Sequence, residues 1–242
     1  MADKEPKTLD VLAIAAHRDD VEITCGGTMI KMVDKGYKVG ILDLTQGEMG
    51  TKGTAGEREN DSIKAAKIMG LAWRGNLSLP DAAVEVTREN KLRIAEMVRI
   101  FRPGLVILPF WLQRHPDHVA ASQLGYDACY LAGLKKLKLD GEPHRPRKVI
   151  YASSFRDVRH SFFVDISDQM RRKIESVKAY SSQFDGSPDS NRIYKPGVNI
   201  FEFMSITAKH YGHMLGVEYA EAFTIKENIL IDDPYKMPVR SI

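Results

Sequence analysis

Residues 9–16 form a short run of apolar and small side chains, interrupted only by Asp10, that stops abruptly at His17-Arg18-Asp19-Asp20. Such a run, bounded by polar residues and followed by Cys25-Gly26-Gly27-Thr28, predicts a strand buried on both faces that empties into a loop and then a helix. The carboxyl ends of such strands are where open α/β sheets build their sites. One feature therefore constrains both the fold and the place where chemistry can sit.

The same alternation continues along the chain. It predicts a helix over 26–35, a strand over 39–44, a helix opening at Glu57-Arg58-Glu59 that Gly70 stops, a short strand over 73–77 and a helix over 87–101. A second Pro-punctuated apolar run, 103–110, reads as another buried strand, with a helix over 118–131 behind it. Strand–helix units with short links imply right-handed crossovers and a mainly parallel sheet. We expect a Rossmann-like, three-layer α/β/α fold in a single domain spanning 1–242. Beyond residue 132 the pattern loosens: strands over 148–153 and 161–166, helices over 168–179 and 200–215, and a final short strand after 216–223. The Gly-, Pro-, Ser- and Asn-rich stretch 185–199 reads as an excursion or lid.

A chain of 242 residues supports one sizeable core. Lys plus Arg number 35 against 32 Asp plus Glu, a formal charge of +3 that is too small a bias to imply nucleic acid or membrane binding. No apolar stretch approaches the roughly 18 residues of a membrane span, and residues 1–7 lack the apolar core of a signal peptide. A cytoplasmic protein is expected. Only Cys25 and Cys129 are present, with no Cys-x-x-Cys pair, so neither a disulfide framework nor a thiolate zinc site is suggested. Cys25 is expected to pack at the turn into the first helix. No Gly-x-Gly-x-x-Gly follows the first strand, which argues against a dinucleotide. The glycine-rich segment 45–56 lacks the Gly-Lys-Ser/Thr ending of a phosphate loop and reads as a mobile loop.

Two strand exits carry the candidate chemistry. His17 and Asp20 are three residues apart, so a tight turn can aim both at one point while Asp19 between them faces elsewhere. That spacing suits one nitrogen and one oxygen ligand for a divalent metal, with a free carboxylate beside it for protons. An aspartate here also suits the N-terminus of a helix, where it serves as a cap. The second exit, Gln113-Arg114-His115-Pro116-Asp117-His118, again holds two histidines three apart with a carboxylate between them. Three of the seven histidines lie in these two clusters. Matching chemistry at matching topological positions favours a site with three protein ligands and an open position. Arg58, in the first turn of its helix, opposes the helix dipole, which hints that it serves a ligand. Asp81 marks a further carboxylate at a strand exit.

Ala16-His17-Arg18-Asp19-Asp20-Val21-Glu22, Gly26-Gly27-Thr28 and Arg114-His115-Pro116-Asp117-His118 together resemble the LmbE-like (PIG-L) superfamily of zinc-dependent N-acetylglucosaminyl deacetylases. Asp43-Leu44-Thr45, Gly53-Thr54 with Arg58, Leu79-Pro80-Asp81, Asp165-Ile166-Ser167-Asp168, Tyr180 with Ser182-Gln183-Phe184, and Tyr211-Gly212 with 216–221 extend the resemblance toward the bacillithiol-biosynthesis branch. The resemblance implies one zinc ion per chain on His17, Asp20 and His118, with Asp19 as general base. It implies that His115 stabilises the tetrahedral intermediate with Asp117 as its partner, and that Arg58, Asp81 and Tyr211 line a sugar pocket. Arg18 stands where the family often has proline, and a cation there could touch an acidic substrate. The implied substrate is N-acetylglucosaminyl malate. Another aminosugar, such as a chitin-derived oligosaccharide or a mycothiol precursor, and a non-catalytic sugar- or metal-binding module are the alternatives. Relatives suggest a homo-oligomer, a hexamer or trimer, acting on a small molecule.

Overall fold

The computed structural model describes residues 8–154, 156–184 and 199–239. Strands and helices alternate as β1 (Val11–Ala15), α1 (Asp20–Asp34), β2 (Val39–Thr45), α2 (Ala55–Met69), β3 (Trp73–Leu79), α3 (Arg88–Phe101), β4 (Leu105–Pro109), α4 (Pro116–Ala132) and β5 (Lys148–Ala152). Then follow β6 (Phe162–Asp165), α5 (Met170–Lys178), α6 (Ile200–Leu215) and β7 (Ala220–Thr224). The seven strands form one sheet in the order β3-β2-β1-β4-β5-β7-β6. The first five are parallel, and β7 runs antiparallel between β5 and β6.

Alternation along the central strands divides the core into two layers, as the two-residue period of a strand requires. Leu12, Ile14, Leu42, Leu44, Val106 and Leu108 meet Ile94 and Val98 of α3 and Leu124 of α4 on one face. Val11, Ala13, Val39, Ile41 and Ile107 meet Met29 and Ile30 of α1 on the other. The result is one three-layer α/β domain with both faces of the sheet covered. Among the described residues no helix is long and apolar enough to cross a membrane.

Several boundaries differ from the sequence reading: α4 starts at Pro116 rather than at residue 118, and the last strand, β7, covers Ala220–Thr224, overlapping 216–223 rather than following it. Helix α1 starts at Asp20 rather than at residue 26, because a first turn precedes a break at Cys25, whose φ of −142° and ψ of 19° are not helical. Past the break, the carboxylate of Glu221 on β7 accepts from the N–H groups of Gly27 (2.9 Å) and Thr28 (2.7 Å), as a cap would at a new helix start. Lys173 of α5 pairs with that carboxylate at 2.5 Å. Helix α2 starts at Ala55, with Thr54 and Glu57 forming a capping box. Strand β3 runs on to Leu79. The excursion expected over 185–199 falls, apart from Asn199, outside the described residues.

Candidate active site

The strand order reverses at β1, which has β2 on one side and β4 on the other. Connections from β1 and β4 therefore leave toward opposite sides of the sheet and open a crevice between them, the switch point where α/β folds bind ligands. The first exit delivers His17, Arg18, Asp19 and Asp20 to that crevice, and the second delivers His115, Asp117 and His118.

His17 Nδ1 lies 3.2 Å from His118 Nε2 and 3.4 Å from Asp20 Oδ2, while His118 Nε2 lies 3.2 Å from Asp20 Oδ1. Ligands about 2.0–2.1 Å from a tetrahedral ion stand roughly 3.3 Å apart, so these three groups fit one divalent cation with a position left open. The ring nitrogens of His17, His115 and His118 also fall within 4.8 Å of one another, which puts His115 on the rim of the same group. Burial disfavours a charged His17, but Asp20, Asp81 and Asp19 outweigh it and push its pKa up to about 11. Burial likewise disfavours the Asp20 carboxylate, yet His118 and His17 hold its pKa well below the usual carboxylate range. The pocket thus favours positive charge where the three donors meet. A cavity of about 60 Å³ bordered by Asp20, Thr24, Gln113 and His118 adjoins them.

The remaining carboxylates take up roles that differ from the sequence reading. Asp81 Oδ1 sits 3.1 Å from His17 Nε2, and its Oδ2 accepts from Met49 N. It orients His17 from behind, as carboxylates commonly do for metal-binding histidines. The sequence reading has the Asp117 carboxylate partner His115. Instead that carboxylate accepts from the N–H groups of Ala82 (2.8 Å) and Val84 (3.2 Å) and lies 3.6 Å from His17 Nε2. His115 meets Asp117 through the backbone: its Nδ1 accepts from Asp117 N at 3.2 Å, which assigns the ring proton to Nε2. Burial, with His17 and His118 nearby, lowers the pKa of His115, which favours the neutral ring.

Beneath the first exit lies a buried charge cluster that sequence reasoning missed. Arg74 of β3 binds Glu22 Oε1 at 2.5 Å and Asp43 through Nε at 2.8 Å. Arg74 also donates to the carbonyl of Arg18, as does the hydroxyl of Tyr180, which reaches Glu22 at 2.8 Å. Thr45 adds two bonds to the carbonyl of Ala16. Burial pushes the carboxyls of Glu22 and Asp43 up, and Arg74 opposes it in both. The motifs that carry the resemblance include Glu22, Asp43, Thr45 and Tyr180 but give them no role, and the signal for Arg74 is a charge inside an otherwise strand-like run.

Arg58 is buried, with Nη1 on the carbonyl of Gly47 (2.8 Å) and Nη2 3.6 Å from Asp19 Oδ1. Gly47 has φ of +72°, and a Cβ there would stand 2.3 Å from Arg58 Nη1, so only glycine lets the loop close over this arginine. The glycine-rich loop is tied at several points, with Glu48 Oε1 accepting from Asp81 N and Lys52 O from Gln183. Arg18 is buried at 4% exposure, and its charge acts on Asp43. Its Nε and Nη1, like Nε of Arg58, have no hydrogen-bond partner among the described residues. The structure does not bring Tyr211 to the histidine cluster: its hydroxyl donates to the carbonyl of Ser154, and its ring meets His160 and Phe163. Cys25 is buried, and burial pushes its thiol up, so it is a packing residue.

Comparison with known proteins places this geometry. The family model described as GlcNAc-PI de-N-acetylase, PIG-L, matches residues 12–129. The chain is 33% identical over 238 residues to the diacetylchitobiose deacetylase of Thermococcus kodakarensis, covering 91% of this chain and 84% of that protein. The crystal structure of the conserved protein TT1542 from Thermus thermophilus superposes with a TM-score of 0.85 at 39% identity, over 94% of this chain and 99% of the other. The N,N'-diacetylchitobiose deacetylase of Pyrococcus horikoshii, complexed with its inhibitor MPG, superposes with a TM-score of 0.76 at 27% identity, over 88% and 82% of the two chains. The match in sequence extends through both strand exits and the match in structure through nearly the whole fold, and this chain belongs to the PIG-L (LmbE-like) family of deacetylases.

Proposed function

We propose that this chain hydrolyses the N-acetyl group of a small N-acetylglucosamine derivative, giving the free amine and acetate, with one divalent cation per chain. The observation that carries the reading is the meeting of His17, Asp20 and His118 at one point with Asp19 beside them. Zinc is the first candidate, and iron, cobalt and manganese also accept nitrogen and carboxylate donors. A cation of this kind polarises the acetyl carbonyl and lowers the pKa of water toward about 7.

The chain's own residues supply the rest. Asp19, oriented by Arg58, takes the proton released as water attacks the amide carbon and delivers it to the departing amine. His115 donates its Nε2 proton as a hydrogen bond to the carbonyl oxygen, where negative charge develops. Asp117 sets that tautomer through its backbone N–H, and Asp81 fixes the ring of His17.

For the finer reading we take N-acetylglucosaminyl malate, the bacillithiol-biosynthesis compound, as substrate and the cytoplasm as location. Arg58, whose guanidinium stands beside Asp19 at the first exit, supports it, because guanidinium groups suit carboxylates. The two chitobiose deacetylases among the relatives favour diacetylchitobiose as the second reading.

The test is acetate release by metal-loaded wild type and Asp19→Asn from both compounds and from N-acetylglucosaminyl inositol. Wild type is expected to turn over the malate compound fastest, with Asp19→Asn slower by about 100- to 10,000-fold. Equal rates for the two proteins would remove Asp19 from the mechanism. Faster release from diacetylchitobiose would select the second reading, and no release from any compound would leave a binding module.

A further inference from the structure

The cavity of about 60 Å³ beside Asp20 and His118 lies between the carboxyl ends of β1, β4 and β5 and the first turn of α1. Its walls are mostly apolar. Ala13 and Ala15 of β1, Ile107 of β4, Ala152 of β5 and Val21 of α1 line it and belong to one buried cluster. The space follows from the sequence. Lower in the same layer Val11, Val39 and Ile41 supply branched side chains, whereas Ala15 and Ala152, the last residues of β1 and β5, are too small to close the gap. The break at Cys25, a further wall residue, falls where a continuous helix would pack over it.

Protein interiors are close-packed, and unfilled apolar space costs stability, so a cavity that reaches the proposed cation donors points to an occupant. A buried water needs two to four polar partners, and these walls offer few. Besides Asp20 and His118, the hydroxyl and amide residues at the edge are Thr24 and Gln113, and Thr24 donates its hydroxyl to the carbonyl of Asp20 at 2.7 Å. An alkyl group suits the space better. A water-sized group takes about 10–15 Å³, so the cavity has room for about four to six of them. The carbonyl carbon and oxygen of an amide at the donors use about two of those places and leave about two to four for the alkyl end. An acetyl group brings a single methyl, and a butyryl group brings three carbons.

We infer that this cavity takes the acyl end of the substrate and is deeper than an acetyl group requires, so that the chain also hydrolyses N-propionyl and N-butyryl amines. The inference rests on the hydrolase reading given above. The bond changes are the same: water adds to the acyl carbon, the carbon–nitrogen bond breaks, the amine keeps the electron pair and takes the proton, and propionate or butyrate leaves. Ile107 and Ala152 are the walls that limit chain length, and an eight-carbon acyl group exceeds the space.

Two series on the metal-loaded protein test this, calorimetric binding of straight-chain hydroxamates and carboxylate release from N-acyl glucosamines of the same chain lengths. The two-, three- and four-carbon hydroxamates are expected to bind within about tenfold of one another and the eight-carbon one at least about tenfold more weakly, because a methylene that a pocket cannot seat costs about 10- to 200-fold. Release is expected to follow the same order. Ala152→Val narrows the cavity and is expected to weaken the four-carbon hydroxamate at least about tenfold relative to the two-carbon one, whereas Ile107→Val widens it and shifts preference toward longer chains. Each ratio is taken within one protein, so a smaller folded fraction does not move it. Four-carbon binding more than about tenfold weaker than two-carbon binding in wild type, eight-carbon binding as tight as either, or a ratio unmoved in Ala152→Val would overturn the inference. Acetate release without propionate or butyrate release would overturn it alone and spare the hydrolase reading, and no release from any compound would overturn both.

Discussion

At the end of β1, the carbonyls of Ala16 and Arg18 are gripped by Thr45, Arg74 and Tyr180, and the side chains of the turn are buried or half-buried. At the end of β4, residues 114–116 are exposed, and the turn is held mainly by the Asp117 carboxylate against the amides of Ala82 and Val84. Both exits present the same kind of side chain to the same crevice. The first is fixed by charges buried below it, so its donors stay aimed at one point without help from a ligand. The second is open to solvent, where a substrate can meet His115. Rigidity sits where the proposed cation would be gripped, and access sits where the proposed substrate oxygen would be approached.

The comparison breaks most visibly at Arg74. Arg74→Met leaves Glu22 and Asp43 buried without their cation, and a loss of about 3 to 5 kcal/mol is expected in denaturant unfolding. Combining it with Glu22→Gln is expected to recover part of that loss. Asp81→Asn spares the fold but removes the carboxylate behind His17. Cation affinity is expected to fall about 10- to 100-fold in a chelator competition, whereas unchanged affinity would show that His17 needs no support. At the second exit Asp117→Asn keeps one acceptor for two amides and is expected to cost about 1 kcal/mol of stability. The smallest effect belongs to a group outside both exits. Burial works against the Asp34 carboxylate, but hydrogen bonds from Gln169 and Arg172 hold its pKa below the ordinary value. A depressed pKa contributes stability above the unfolded value of about 4 and loses it as pH falls below that. Asp34→Asn is therefore expected to destabilise slightly at pH 7 and not at pH values of about 2, in paired thermal melts.

What could be read from the chain, and what could not, follows from range. The apolar runs that became β1, β2 and β4 announce themselves because burial on both faces demands uninterrupted small and branched side chains. His17, Asp20 and His118 are legible because each closely follows such a run. The start of α1 is misjudged because the break at Cys25 is held by Glu221, almost two hundred residues away, and no local pattern records that bond. The same distance hides the role of Arg74, since an arginine in a short strand ordinarily reads as facing water. Asp81 and Asp117 do stand at strand exits, but their partners are set by loops whose paths only the folded chain defines. Arg58 stands out for a sounder reason, as its position opposes the helix dipole and implies a compensating contact.

The bond from Glu221 to the broken helix has one more consequence. The stretch that defines the family, 12–129, contains both histidine clusters but not the carboxylate that satisfies the Gly27 and Thr28 amides. A fragment ending after α4 would hold every proposed donor and still lack the closing strut, so the proposed site is not a portable module. Its heredity is bound to the last strand of the sheet, and an insertion or fusion that displaces β7 reaches the reaction centre through the spine of α1.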